Sequence, residues 1–264
     1  HHDSVPVRGR AVTPELTRQD LQMIKEANLD ALRTSHYPAI ESLYDDADEM
    51  GVYVQAEAPF CWVNQSYDLR LAPLVVSHTA ELLERDRSHP SVIIWSLVNE
   101  SSWGPDFDRS HEYVQRADPT RPISAGGSKD IEIATRHNPI TLDLIRQSDT
   151  LKTPVIWDES LCVYQGIFRD GPEIWQDPAN RDYWIAPLIP IWDEVRASKV
   201  IQGSMIWAWA DDLFQVPGRG SEYGRGLTMA HTSDLQYGAP GKGVVGDAPW
   251  GVVDGWRRKK PEFW

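Results

Sequence analysis

The chain has 264 residues, Lys+Arg 26 against Asp+Glu 39, a net charge of −13, and 41% hydrophobic residues. That is enough for one large α/β domain, while the acidic surplus repels nucleic acid and anionic membranes, so neither is expected as a partner. No apolar run approaches the roughly 20 residues of a bilayer span, and Cys61 and Cys162 are too few for a disulfide framework and lack zinc-site spacing.

The sequence opens abruptly on His1-His2-Asp3, as a fragment of a longer chain would. Thr13 then reads as a helix N-cap and Pro14 as the first helical residue, with Leu16, Leu21, Met23 and Ile24 as the apolar stripe. "LDALRTSHYP" (29–38) reads as a strand. "AIESLYDDADEMG" reads as a helix closed by Gly51, leading into the strand "GVYVQAEAP" (51–59). "LAPLVVSHTAELLERDRSHP" puts Leu74, Val75, His78, Leu82 and Leu83 on one helical side before the strand "SVIIWSLVNE" (91–100). "RPISAGG" (121–127), "IEIATRHNP" (131–139), "TPVIWDES" (153–160) and "VIQGSMIWAW" (200–209) complete seven strands. The amphipathic 172–198 region is expected to bury Trp175, Trp184 and Trp192. From Phe214 to Gly251 the chain holds nine of its 18 glycines and little periodicity, which predicts a long loop after the last strand.

Continuous apolar strands alternating with helices signal a parallel sheet buried on both faces. No GxGxxG turn or phosphate loop is present, which argues against a doubly wound nucleotide fold. The predicted fold is a (β/α)8 TIM barrel over 1–264, with His1-His2-Asp3 as the tail of a truncated first strand. In such barrels the working residues sit at the C-terminal ends of strands.

Several predicted strand ends carry acids: Glu57, Glu100, Asp158 with Glu159, and Asp211 with Asp212. Most acids after strands are caps or solvated loop residues. Glu100 and Glu159 differ in directly following strongly apolar strands, the fourth and seventh of the count, which face each other across a barrel mouth. Two carboxylates about 5 Å apart form the acid and nucleophile of a retaining glycosidase. The 12 tryptophans offer flat faces that suit sugar rings as well as cores.

The stretches "LRTSHYP", "RSHPSVIIWSLVNES", "PVIWDES", "IQGSMIWAWADD" and "WGVVDGWRRKKPEFW" resemble the catalytic barrel of glycoside hydrolase family 2, the family of β-galactosidases, β-glucuronidases and β-mannosidases. The resemblance implies a retaining exo-β-glycosidase acting on a carbohydrate, with Glu100 as general acid/base and Glu159 as nucleophile. It implies that Asn99 binds the sugar 2-hydroxyl, that His2, Arg33 and His36 line the sugar subsite, and that Trp207 is an aromatic platform. Trp62 and Trp103, after strand ends, are expected to wall the leaving-group site. Family members carry β-sandwich domains before the barrel, so such domains are expected in a parent chain, and an oligomer is compatible with the pattern.

The mechanism requires Glu100 to hold a proton, which predicts a raised pKa through desolvation beside Trp95 or Trp103 or through repulsion from Glu159. The metal motif Glu-Thr-His of the family's β-galactosidases is unmatched by "AEAPFCWVNQ", so no metal or other cofactor is expected. Asn138 stands where the family tyrosine supports the nucleophile, and Cys162 where a histidine lies near the sugar 6-position. His36 and His137 suit a metal, but no third ligand is apparent. No Asn-x-Lys uronate grip occurs, and the cluster Arg257-Arg258-Lys259-Lys260 reads as the solvated start of a terminal helix. A β-galactosidase-like activity is expected; β-mannoside, β-glucuronide or arabinoside specificity, and a carbohydrate-binding relative without turnover, are the alternatives. Compartment is not encoded in any segment read here.

Overall fold

The computed structural model describes residues 5, 11–64, 67–137, 142–160, 188–210, 212–215, 244–248, 251–253, 255–261 and 263–264. His2, Asn138, Cys162, Trp175 and Trp184 lie outside them. The chain divides into two compact units: Pro14–Ser160 with Val195–Met205, and His1–Thr13 with Leu161–Glu194 and Ile206–Trp264.

The described elements from Pro14 to Ile206 form β/α repeats. Helix α1 (Pro14–Glu26) leads to strand β1 (Ala31–Arg33), α2 (Glu41–Met50) to β2 (Tyr53–Glu57), and α3 (Ala72–Asp86) to β3 (Val92–Asn99). Helix α4 (Pro105–Ala117) precedes β4 (Ile123–Gly126), which is followed by β5 (Ala134–His137), α5 (Leu142–Ser148), β6 (Val155–Ser160), α6 (Leu188–Ala197) and β7 (Ile201–Ile206). Strand order follows chain order: β1-β2-β3-β4 form one sheet, with parallel pairings throughout, and β5-β6-β7 another. A parallel bridge between Ser124 and Ile133 joins β4 to the start of β5. Parallel neighbours require crossover connections, usually helical, which is why helices separate most strands; β4 and β5 are joined without one. β3 and β6 are the predicted strands with Glu100 and Glu159 at their ends. No helix among the described residues is long and apolar enough to cross a membrane.

Local sequence explains the boundaries. Pro14 starts α1, where its missing N–H costs nothing. Gly51 closes α2 in the left-handed region (φ 68°), its N–H bonded to Ala47 O. On α3 the buried positions are Ala72, Val75, Thr79, Leu82, Leu83 and Asp86, whereas Leu74 is 51% exposed. The predicted stripe was therefore rotated: Thr79 turns inward because its hydroxyl bonds Val75 O and Ser110 Oγ on α4. Trp192 on α6 is 46% exposed, not core as expected.

The strands bury more polar groups than their apolar runs suggest. Gln55, Glu57, Ser96, Ser124, Asp158 and Glu159 are all buried. Gln55 Nε2 donates to Ser124 Oγ at 3.2 Å and Asp158 Oδ2 at 3.0 Å, and Ser96 Oγ donates to Glu57 Oε2 at 2.8 Å. These bonds link β2 to β3, β4 and β6. On the other side of β3, the fully buried Trp95 donates Nε1–H to Asp118 Oδ2 at 2.9 Å, where Arg121 Nη1 also donates at 2.6 Å. Trp95 thus packs away from the strand end.

In the second unit, β8 (Asp212–Gln215) and β9 (Val244–Ala248) pair antiparallel. The glycine-rich stretch predicted as loop therefore contains strand at both of its ends. Val252 and Val253 donate to Ala208 O and Trp209 O. Residues 257–260 form no helix; Arg257 is 4% exposed, with its Nη1 donating to Gly255 O, so the basic cluster is only partly a solvated face.

Replacing Asp118 with Ala leaves the buried Trp95 donor unpaired, a cost of about 1–3 kcal/mol. Asp118→Ala is expected to lower the thermal midpoint by several degrees, with Asp118→Asn recovering part of the loss. An unchanged midpoint for the alanine variant contradicts this account.

Candidate active site

The run "VIIWSLVNE" ends on an amide and a carboxylate because the strand stops being regular there. Its pairing with β4 shifts between Ser96 and Asn99. Asn99 N then donates to Phe60 O and Glu100 N to Gly126 O, both at 2.7 Å. Glu100 takes φ 41°, a left-handed conformation uncommon for a side chain of this kind. Such strain persists only where neighbours over-determine it, and it clusters at functional sites. Two glycines make room: a Cβ on Gly126 would stand 2.7 Å from Arg33 Nη2, and one on Gly127 would stand 3.0 Å from His137 Nδ1.

Arg33, at the end of β1, is the centre of the site. Its side chain is buried, and its Nε donates to Glu57 Oε2 at 2.6 Å, Nη1 to Glu159 Oε1 at 2.8 Å and Nη2 to Asn99 Oδ1 at 2.7 Å. One guanidinium therefore ties together the ends of β1, β2, β3 and β6. Burial opposes its charge, but Glu57, Asp158 and Glu159 outweigh burial and raise its pKa. The reciprocal effect holds Glu57 at about 2 despite complete burial. His36 Nδ1 lies 2.8 Å from Glu57 Oε1, and its Nε2 is 3.8 Å from Glu159 Oε1. With Oδ1 of Asn99 taken by Arg33, the amide Nδ2 faces Cys61 Sγ at 3.3 Å. That fixes the amide orientation through the hydrogen-bond network.

Glu100 and Glu159 converge. Ligand-type atoms of Glu100, His137 and Glu159 lie within 4.8 Å of one another. Glu159 is 6% exposed, and burial pushes its carboxyl up to about 7, against Arg33 and His137, which favour its ionised form. Glu100 behaves oppositely to expectation: His137 Nδ1, 2.7 Å from Oε1, holds its carboxyl down at about 2, helped by Trp62 Nε1 donating to Oε2 at 2.9 Å. Partial burial does push the Glu100 carboxyl up, as anticipated, but the contacts from His137 and Trp62 outweigh it. Arg33 already neutralises Glu159 and His137 already contacts Glu100, so the cluster carries its own cations, and its chemistry is that of a hydrogen-bonded acid pair.

Of the residues expected here, Arg33, His36, Asn99, Glu100 and Glu159 come together. Trp103 instead donates Nε1–H to Asp108 at 2.7 Å, packs on Phe107 and lies under Lys129 Nζ at 4.7 Å. Trp207 belongs to the second unit. Trp62, expected at the leaving-group wall, and His137, singled out for a metal, both stand at the Glu100 carboxylate oxygens, and Cys61 touches Asn99, a contact with no sequence signal; His137 closes β5, and Cys61 and Trp62 follow β2. A cleft of about 440 Å³ opens beside Glu100, lined by Glu100, Ser128, Lys129, Asp130, Arg136 and His137 among others.

Residues 1–223 match the family described as glycosyl hydrolases family 2, TIM barrel domain. A β-galactosidase of Lactococcus lactis subsp. lactis (strain IL1403) is 30% identical over 227 residues, which cover 80% of this chain and 22% of that protein. A β-galactosidase of Aeromonas hydrophila subsp. hydrophila is 31% identical over 219 residues, 80% of this chain and 21% of that one. The chain thus spans about a fifth of the length of these relatives. Among solved structures, the GH2 β-galacturonidase from Eisenbergiella tayi bound to galacturonate superposes with a TM-score of 0.72 at 20% identity, covering 100% of this chain and 49% of that one. The β-glucuronidase of an uncultured Clostridium sp. gives 0.70 at 19% identity, covering 99% and 48%. The strand-end acids, the parallel β/α order and the match over most of its length agree: the chain belongs to glycosyl hydrolase family 2 and carries its TIM-barrel domain.

Proposed function

We propose that the protein to which this barrel belongs is a retaining β-glycosidase, acting on β-galactosides as its curated relatives are named to do. The observation that carries this reading is that a carboxylate oxygen of Glu100 lies within 4.8 Å of one of Glu159. Retaining pairs lie about 5–5.5 Å apart, whereas inverting pairs need roughly 6.5–9.5 Å to admit a water.

In this reading Glu159 attacks the anomeric carbon, the bond from that carbon to the leaving oxygen breaks, and the leaving oxygen takes a proton from Glu100. Water then attacks the same carbon, gives a proton to Glu100 and releases the Glu159 carboxylate. Arg33 Nη1 aims Glu159 through the 2.8 Å bond to Oε1. Asn99, its Oδ1 held by Arg33, offers its amide N–H groups to the sugar 2-hydroxyl, a bond that strengthens as the ring gains oxocarbenium character. The cleft beside Glu100 is on the proton donor's side, where the leaving group departs; Glu159 is not among its lining residues.

Glu159→Gln is expected to reduce hydrolysis of nitrophenyl β-glycosides to background. Glu100→Ala is expected to lose about 10²–10⁴-fold on poor leaving groups and much less on good ones. Wild-type rates from both variants would overturn the assignment. The pH dependence has a definite sign: a nucleophile raised to about 7 is inactive when protonated, so kcat/KM is expected to fall as pH drops through about 7. A profile flat from pH 7 to pH 5, where a carboxyl of ordinary pKa (about 4.3) stays ionised, contradicts that part.

A further inference from the structure

We infer that His137 is the proton store for the acid step: a positioning residue whose imidazolium, set between the acids of β6 and the end of β3, supplies Glu100 with the proton that the leaving group receives. This rests on the glycosidase reading and assigns a role to a residue that the sequence placed only as a possible metal ligand.

The geometry is specific. His137 Nδ1 lies 2.7 Å from Glu100 Oε1 and 3.6 Å from Glu159 Oε2, while Nε2 lies 3.2 Å from Asp158 Oδ1. The His137 side chain is 8% exposed. Each ring nitrogen therefore faces a carboxylate, and a neutral imidazole has only one N–H to donate. Asp158 Oδ1 and His137 Nε2 are both buried and stand 3.2 Å apart in poor alignment for a hydrogen bond, so it is the positive charge of the ring that compensates the Asp158 carboxylate. The surrounding charged groups are Glu100 at the end of β3, Asp158 and Glu159 on β6, and Arg33 and His36 near the end of β1, with Arg33 also 3.8 Å from Asp158 Oδ2. Gly127, at the end of β4, contributes backbone alone. Burial disfavours the ring's charge, but bonds to Asp158 and Glu100 win and raise its pKa to about 10.

In the open site the proton thus sits on His137 and Glu100 is ionised, the reverse of what the first step needs. Substrate binding corrects this. The Glu100 side chain is 36% exposed and its charge is partly solvated; a sugar seated against it removes that water. An ion pair loses more than a neutral pair when water leaves, so the proton passes from Nδ1 to Oε1. Glu100 then gives a proton to the departing oxygen, leaving His137 neutral and Glu100 ionised. In the second step the proton removed from water by Glu100 returns to Nδ1, restoring the imidazolium.

The test is the pH profile of kcat/KM for His137→Asn against wild type, on glycosides of one sugar with good and poor leaving groups. The wild-type alkaline limb is expected near pH 10. In the variant it is expected to move down by two or more units, with at least a tenfold greater loss on the poor leaving group than on the good one, because only that substrate needs the proton. An alkaline limb that stays in place, or equal losses on both substrates, overturns the proposal. Nitrogen-15 NMR of His137 in the same protein reads the store directly, and a midpoint near the ordinary 6.5 overturns it even if the enzyme is active. Wild-type protein that hydrolyses no glycoside while His137 titrates high overturns the glycosidase reading instead, and the proton-store role with it.

Discussion

The site depends on one buried cation. Arg33 satisfies a carboxylate on β2, a carboxylate on β6 and an amide on β3 from a single guanidinium, at 2.6, 2.8 and 2.7 Å. Desolvating such a charge costs several kcal/mol, and removing either member of a buried pair strands the other at about 3–5 kcal/mol. The fork geometry makes this tolerable: each donor direction ends on an acceptor whose backbone is fixed by strand pairing. Glu159 is thereby aimed, Asn99 is kept from flipping, and Glu57 stays ionised so that it can receive His36. Lysine, a point charge, cannot replace all three bonds.

Around that cation the acids are unequal. Glu57 is fully neutralised, Glu159 is buried with its compensation shared, and Glu100 reaches solvent and takes its partner from His137. Environments that push titratable groups apart assign acid and base roles. Glu100 is held ionised for a local reason, a 2.7 Å contact with the His137 ring. The same ring lies between the two carboxylates that a retaining mechanism needs, so whatever changes the hydration of one changes the protonation of the other.

The strands and their polar ends were legible in the sequence because seven apolar runs broke at recognisable places. Glu100 and Glu159 stood out by following the strongest of them. Arg33 and Glu159 are 126 residues apart, and nothing in local pattern says that they meet; the family resemblance put both at the sugar site without pairing them. Trp103 misled because position after a strand does not fix direction: its indole found Asp108 in the first turn of the helix that follows it. The α3 stripe misled because Thr79 buries its hydroxyl by bonding Ser110, a partner invisible to hydrophobic periodicity. His137 and Gln55 were illegible for a similar reason. A polar residue facing inward from a strand reads like a defect until its acceptors on other strands are known.

The most direct test of two acids meeting at one anomeric carbon is to trap the sugar on the protein. A 2-deoxy-2-fluoro β-galactoside with a good leaving group slows both steps by destabilising oxocarbenium character, and release from the ester becomes slower than its formation. The account predicts stoichiometric inactivation, with one added fluorosugar on the peptide containing Glu159. Label on a peptide lacking Glu159, or steady turnover with inversion at the anomeric carbon, would contradict it.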